Sequence, residues 1–262
     1  MVTMESAGSR RSERLTTLSV IMPARDEQAC IATTVGHLSA ELWRNQVPHE
    51  ILVVDDGSTD QTWRVLTELE SHLPALRALQ NPGPYGFGQA VRFGLDQMTG
   101  DAAVIMMADE SDDCRDVVRY WGKLNEGFDC VFGSRFIKGG KAIDYPWPKY
   151  FLNRLANHGI KLLFGLPFND TTNAFKAYRK RAVDGCRPLR STHFDLTVEL
   201  ALKAILRGYS WTVVPVTWET RRAGVSKFKR HTMGMRYLLT VFSVWVEARR
   251  RRVAPPRPAQ GA

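Results

Sequence analysis

Short apolar runs alternate along this chain with stretches whose apolar residues recur every three to four positions. LSVIMPA, residues 18–24, is apolar at every position but Ser19 and reads as a buried strand. Residues 27–43 follow with helical spacing. A second strand, 50–54, stops at Asp55-Asp56-Gly57, and Ser58 or Thr59 is placed to cap a helix carrying Trp63, Leu66, Leu69 and Leu73. A weak third strand is expected at 76–79. A glycine-rich loop, 81–88, then leads into a helix that runs to Met98. A fourth strand spans 102–107, a helix lies around 116–124, and a fifth strand spans 129–133. This alternation predicts an α/β fold, a mostly parallel, doubly wound, Rossmann-like sheet with helices on both faces.

After Ser134 the rhythm changes. Residues 138–148 read as a Gly/Pro-rich loop, 149–164 as a helix, 174–178 as a short strand, 196–206 as a helix and 211–216 as a strand. Residues 221–230 form a basic loop. An amphipathic helix is expected at 231–252, with Met235, Leu238, Leu239, Phe242 and Val246 on one broad face and Trp245 close by. The ends, 1–17 and 253–262, are polar or Pro-rich and are expected to be disordered. The organisation is therefore one domain, 18–230, with a helical appendage.

The 262 residues are 44% hydrophobic and 24% charged, a globular composition that needs no disulfide or metal staple. Cys30, Cys114, Cys130 and Cys186 stand singly, which suits a reducing compartment. The first residues hold no apolar leader, and the longest uncharged apolar run near the C-terminus, 237–246, falls far short of the roughly 20 residues that span a bilayer. A cytoplasmic setting is expected. The net charge of +9 changes this picture only through its location. Residues 221–262 carry eleven Lys/Arg against one acid, Glu247, so the rest of the chain is nearly neutral. That placement argues against a nucleic-acid binder, whose basic residues would spread over a fold face. It favours a basic, amphipathic end lying on anionic lipid, or packing on the domain, or both.

Candidate chemistry gathers at strand ends: Asp26 and Glu27 after the first, Asp55 and Asp56 after the second, Asp109, Asp112 and Asp113 after the fourth. Ligands of open parallel sheets bind at that edge. Carboxylates there suit a divalent metal carrying a diphosphate, or the donors of a ribose or base. Each one could equally be a helix cap or turn residue. Gly86-x-Gly88 in the glycine-rich loop permits close backbone approach, and a plain strand-to-helix turn is the simpler reading.

PARDE (23–27), VVDDGSTD (53–60), MADESDD (107–113), FGSRF (132–136) and GVSK (224–227) occur in this order. Together they resemble the family 2 inverting glycosyltransferases of GT-A fold, and among these the dolichol- or polyprenyl-phosphate mannosyltransferases. The resemblance runs from about Leu18 to Val246. It implies a nucleotide-sugar pocket lined by Pro23, Ala24, Arg25, Glu27, Asp56, Ala108, Asp109 and Ser111. It implies Mg²⁺ or Mn²⁺ at Asp109, Ser111 and Asp112. Where the family has D-A-D-x-Q, this chain has Met107 for the first Asp and Ser111 for the Gln, and methionine is a poor ligand for a hard cation. Arg135, Lys149, Asn153, Arg221 and Lys227 match positions that hold an acceptor phosphate, with Asp109, Arg135 and Arg221 as the catalytic set. Asp195 and Glu199 resemble an acceptor-side helix, where Glu199 would orient basic residues.

The implied activity moves a hexose, mannose from GDP-mannose, onto a polyprenyl or dolichyl phosphate with inversion, at the cytoplasmic face of a membrane and with no nucleic-acid partner. A membrane protein is a further partner to expect. The alternatives are a UDP-sugar donor, a hydroxyl acceptor with Asp113 or Asp195 as base, and a non-catalytic relative that has lost its metal.

Overall fold

The computed structural model describes residues 14–221 and 230–253, with side chains described at 14–221 and 234–250. The elements in order are β1 (Leu18–Ala24), α1 (Ile31–Arg44), β2 (His49–Asp55), α2 (Thr62–Glu70), β3 (Leu76–Gln80), α3 (Phe87–Gln97), β4 (Ala102–Ile105), α4 (Cys114–Asn125) and β5 (Cys130–Ser134). They continue with β6 (Lys141–Ile143), α5 (Trp147–Phe164), β7 (Lys176–Arg179), α6 (Lys180–Gly185), α7 (Leu196–Leu206), β8 (Trp211–Pro215), β9 (Thr217–Glu219) and α8 (Arg230–Val253).

Among the described residues the main sheet has the order β3-β2-β1-β4-β7-β5-β8. Its strands are parallel except β7, which runs antiparallel to β4 and β5. Both faces are covered. Val20 and Met22 of β1 face a core with α1, α2 and α4, while Ile21 between them faces a core with α3, α6 and α7. That period-two division, with both faces covered, is why LSVIMPA is apolar at every position but Ser19, whose hydroxyl donates to Glu50. In α1 the buried Ile31, Val35, Leu38 and Leu42 recur at helical spacing. A third apolar cluster joins Ile160 of α5, Val198 and Leu202 of α7, and Val241 and Val244 of α8.

Local chemistry shifts several expected boundaries. The first helix starts at Ile31 because 25–30 form a turn, and α2 is started by Asp60, whose Oδ1 accepts the Thr62 N–H at 2.9 Å, rather than by Ser58 or Thr59. β4 ends at Ile105, since the Met107 N–H is taken by Asp112 Oδ2 at 3.0 Å. The expected loop 138–148 contributes β6, which pairs with β9, and α6 was not expected. Order begins before Leu18: Leu15 is buried, and Asp101 accepts from Thr16 and Thr17.

The last helix is docked rather than appended. Val241 and Val244 are buried against α7, and Glu247 pairs with Arg207 at 2.6 Å and Lys203 at 3.8 Å. The opposite side is bare: Met235, Leu238, Leu239 and Phe242 are each 60–66% exposed. Helix α5 has the same two-sidedness, with Ile160 inside and Trp147, Phe151, Leu155 and Leu162 outside. Among the described residues no helix is long and apolar enough to cross a membrane.

Candidate active site

The parallel register of β1, β2 and β4 brings the loops that follow them to one edge. Glu27 sits in the turn after β1, where its backbone N–H donates to Thr62 Oγ1 and its carbonyl accepts from Ile31. Asp109 sits in the turn after β4, which Thr34 Oγ1 ties to α1 by donating to the Ala108 carbonyl at 3.0 Å. Both carboxylates are buried. Arg221, which follows β9, reaches between them: its Nη2 lies 2.6 Å from Asp109 Oδ2 and 3.4 Å from Glu27 Oε1. Asp109 Oδ1 accepts the Ser111 N–H at 3.2 Å. Cys30 donates to Glu27 Oε2 at 3.3 Å, and burial, then Glu27, pushes its thiol up to about 12, so it is no nucleophile.

The neighbouring expected residues have particular duties. Pro23 and Ala24 end β1 and are buried, whereas Arg25 is exposed, its guanidinium 5.7 Å from the Tyr85 ring. Asp56 accepts from Gly86 N–H at 2.8 Å and Asn81 Nδ2 at 2.8 Å, fastening the glycine-rich loop; burial raises its pKa against those bonds. Two of the loop's glycines, Gly86 and Gly88, approach protein rather than an open pocket, whereas a Cβ on Gly83 would meet nothing within 4 Å. A Cβ on Gly86 would stand 2.5 Å from the Thr192 carbonyl oxygen, and one on Gly88 2.6 Å from Thr192 C. Tyr85 lies over Gly57, where a Cβ would stand 2.8 Å from its ring, and it is 52% exposed. No sequence motif singled out Tyr85.

Several acidic residues are turn and cap groups. Asp26 accepts from Thr59 N–H at 2.7 Å, Asp55 from Ser58 N–H at 3.2 Å, and Asp113 caps α4 while pairing with Arg115. Asp112 is buried and holds the Met107 N–H, and burial pushes its pKa up to about 7. The backbone beside it is clamped, since the Ser111 carbonyl accepts from Glu219 N–H at 2.9 Å and Asp112 forms a bridge with Trp218.

Arg135 makes a bidentate pair with Asp170, Nε to Oδ2 at 2.9 Å and Nη2 to Oδ1 at 2.7 Å, and its backbone N–H adds a third bond at 3.0 Å. Phe136, Tyr145 and Trp218 surround the guanidinium. Burial opposes its charge, but Asp170 prevails and raises its pKa. Asn153 donates to Thr172 Oγ1 at 2.8 Å, and Lys149 is half-buried one turn earlier on α5. The polar run Asn169–Asn173 thus supports both Arg135 and α5, and sequence reasoning passed over it. Its one signal was five polar residues directly before the short strand expected at 174–178. Glu199 accepts from Arg190 and Ser191 N–H and pairs with Lys203 at 2.6 Å; Asp195 accepts from His193 N–H and Thr240. Lys227 lies outside the described residues.

Among the described residues no three His, Cys, Asp or Glu side chains are grouped to hold a metal ion. Asp109 offers one carboxylate. That fits a hard cation whose remaining ligands are diphosphate oxygens and water.

Comparison with known proteins identifies the family and the fold. The model of glycosyl transferase family 2 matches residues 19–186. The chain belongs to this family. It is 30% identical over 215 residues to the polyprenol monophosphomannose synthase of Mycolicibacterium smegmatis, covering 79% of each. It is 30% identical over 223 residues to the dolichol-phosphate mannosyltransferase of Pyrococcus furiosus, covering 82% of this chain and 60% of that protein's length. A crystal structure of a mycobacterial protein superposes with TM-score 0.68 at 18% identity, covering 88% of this chain and 75% of that one. The glucosyl-3-phosphoglycerate synthase of Mycobacterium tuberculosis, crystallised with Mn²⁺, UDP and phosphoglyceric acid, gives 0.63 at 18% identity over 87% and 78%. The fold of this family 2 chain is therefore GT-A, with the added C-terminal helix.

Proposed function

We propose that this glycosyltransferase moves a hexose, mannose from GDP-mannose, onto a polyprenyl phosphate with inversion at the sugar C1. The observation that carries the reading is the convergence of Glu27, Asp109 and Arg221 at the carboxyl edge of the sheet. The names of the two relatives support mannose and polyprenyl phosphate. Pro23, Ala24, Arg25, Glu27, Asp56, Ala108, Asp109 and Ser111 would line the donor pocket, with the exposed Tyr85 ring as a stacking surface for the base. Mg²⁺ or Mn²⁺ at Asp109, with Ser111 and Asp112 beside it, would neutralise the departing diphosphate.

The acceptor phosphate would meet Arg221, Lys149 and, beyond the described residues, Lys227, while Arg135 and Asn153 hold that wall in place. A phosphate is ionised at neutral pH, so alignment and charge neutralisation suffice for attack. A hydroxyl acceptor would need a free base. Asp113 and Asp195, the residues considered for it, are both occupied as hydrogen-bond acceptors, which favours the phosphate.

The lipid acceptor places the reaction at a membrane surface, its cytoplasmic face. The bare apolar sides of α5 and α8 suit the interface, and α5 carries Lys149, Arg154 and Lys161 with no acid. The test is a panel of GDP-mannose, UDP-glucose and UDP-N-acetylglucosamine with polyprenyl phosphate and Mn²⁺. Mannosyl lipid from GDP-mannose is expected, and absence of glycolipid with every donor would overturn the assignment. Flotation with anionic vesicles should fall for Leu238→Asp with Phe242→Asp while stability is unchanged.

A further inference from the structure

Arg221 has two expected duties that it cannot perform together. The family position gives it the acceptor phosphate, yet here its Nη2 lies against both Asp109 and Glu27. Asp109 is the one carboxylate left where the family pattern has two, Met107 standing in the other place. Its Oδ1 takes the Ser111 N–H and its Oδ2 takes Arg221. A divalent cation on Asp109 would compete with the guanidinium for the same oxygen and be repelled by its charge.

We infer that Arg221 and the donor-borne cation occupy Asp109 in turn: arrival of the metal–nucleoside diphosphate displaces Arg221, and the released guanidinium then takes the acceptor phosphate. The exchange replaces one cation by another, so neither Asp109 nor Glu27 is left buried without a counter-charge. The Arg221 side chain is 17% exposed where it meets Asp109, whereas Arg135 grips Asp170 by two nitrogens at 6% exposure. Donor before acceptor is the order that follows. The inference rests on the metal and phosphate roles proposed above but not on mannose or the lipid.

Mn²⁺ binding, read from the signal of the free ion by electron paramagnetic resonance, tests it. Arg221→Gln should tighten Mn²⁺ binding about tenfold or more, and Asp109→Asn with Arg221→Gln should cancel the gain. Unchanged or weaker Mn²⁺ binding in Arg221→Gln would overturn the exchange. A second measurement needs no variant: phenyl phosphate titrated into the full chain should bind about tenfold tighter once Mn²⁺ and GDP are present. Equal affinity in both conditions would also overturn it. Tightened Mn²⁺ binding in a chain that makes no mannosyl lipid would leave the exchange standing and remove the substrate assignment.

Discussion

Arg135 and Arg221 both face an aspartate beside the site, but they are held to different degrees. Arg135 and Asp170 share two side-chain hydrogen bonds and a backbone bond inside an aromatic enclosure, and Asp170 is fully buried. Arg221 Nη2 lies 2.6 Å from Asp109 Oδ2, and the Arg221 side chain is 17% exposed against 6% for Arg135. Breaking the first leaves a charge stranded in a low-dielectric interior, and breaking the second leaves the buried Asp109 carboxylate in need of another cation while the more exposed Arg221 can reach water. Residue type and motif position alone put both arginines on the phosphate. Burial and the number of bonds separate a wall from a moving part.

The largest effect should come from the wall. Arg135→Ala is expected to cost about 3–5 kcal/mol, seen as a lower urea midpoint, with Arg135→Lys recovering little because the fork geometry is lost. Full stability with lost activity would make Arg135 a direct phosphate ligand and erase the contrast. Asp109→Ala should lower kcat/KM about 10²–10³-fold, with a smaller loss of stability than Arg135→Ala because Arg221 is the more exposed arginine and keeps Glu27 beside it. An equally large loss of stability would mean that the rim pair is structural after all.

Glu199–Lys203 provides a third, buried pair to set beside these. Burial pushes the Glu199 carboxyl up, but Lys203 and the Ser191 and Arg190 N–H groups outweigh it and hold the pKa below the ordinary value. A depressed carboxylate adds stability above its unfolded pKa, about 4.3, and that stability is lost as pH falls through the folded value. Glu199→Gln should therefore cost about 1–3 kcal/mol at pH 7 and flatten the acid limb of the stability curve, measured by urea unfolding at stepped pH. An unaltered limb would remove Glu199 from the group of structural pairs. The smallest effect expected is at the open edge. Tyr85→Ala should raise the donor KM several-fold, about 1 kcal/mol, with kcat nearly kept. No change would move the base away from the Arg25–Tyr85 corner.

Much of the fold is legible in the chain because periodicity reports burial locally. LSVIMPA is a strand with two covered faces, the α1 spacing gives its inner stripe, and the acidic clusters fall at the carboxyl ends of β1, β2 and β4 as the alternation requires. The site is legible in part. Which carboxylates are caps could not be read, since Asp55, Asp60 and Asp113 differ from Asp109 only in what the folded turns bring within reach. The amphipathic face of α8 was visible, but Val241 and Val244, not Leu238 and Phe242, were the residues chosen for burial, because α7 offers its Val198 and Leu202 there.

The sequence by itself determined the class of fold, the edge at which the acidic clusters gather and the residues that carry charge to it, because strand and helix periods are set by neighbours a few positions apart. Tertiary structure alone decided that β7 runs against its neighbours, that Arg135 is closed off by Asp170, and that Arg221 meets Asp109 across 112 residues. Those outcomes depend on distances through space, and Coulomb and hydrogen-bond energies fall off too steeply for sequence separation to stand in for them.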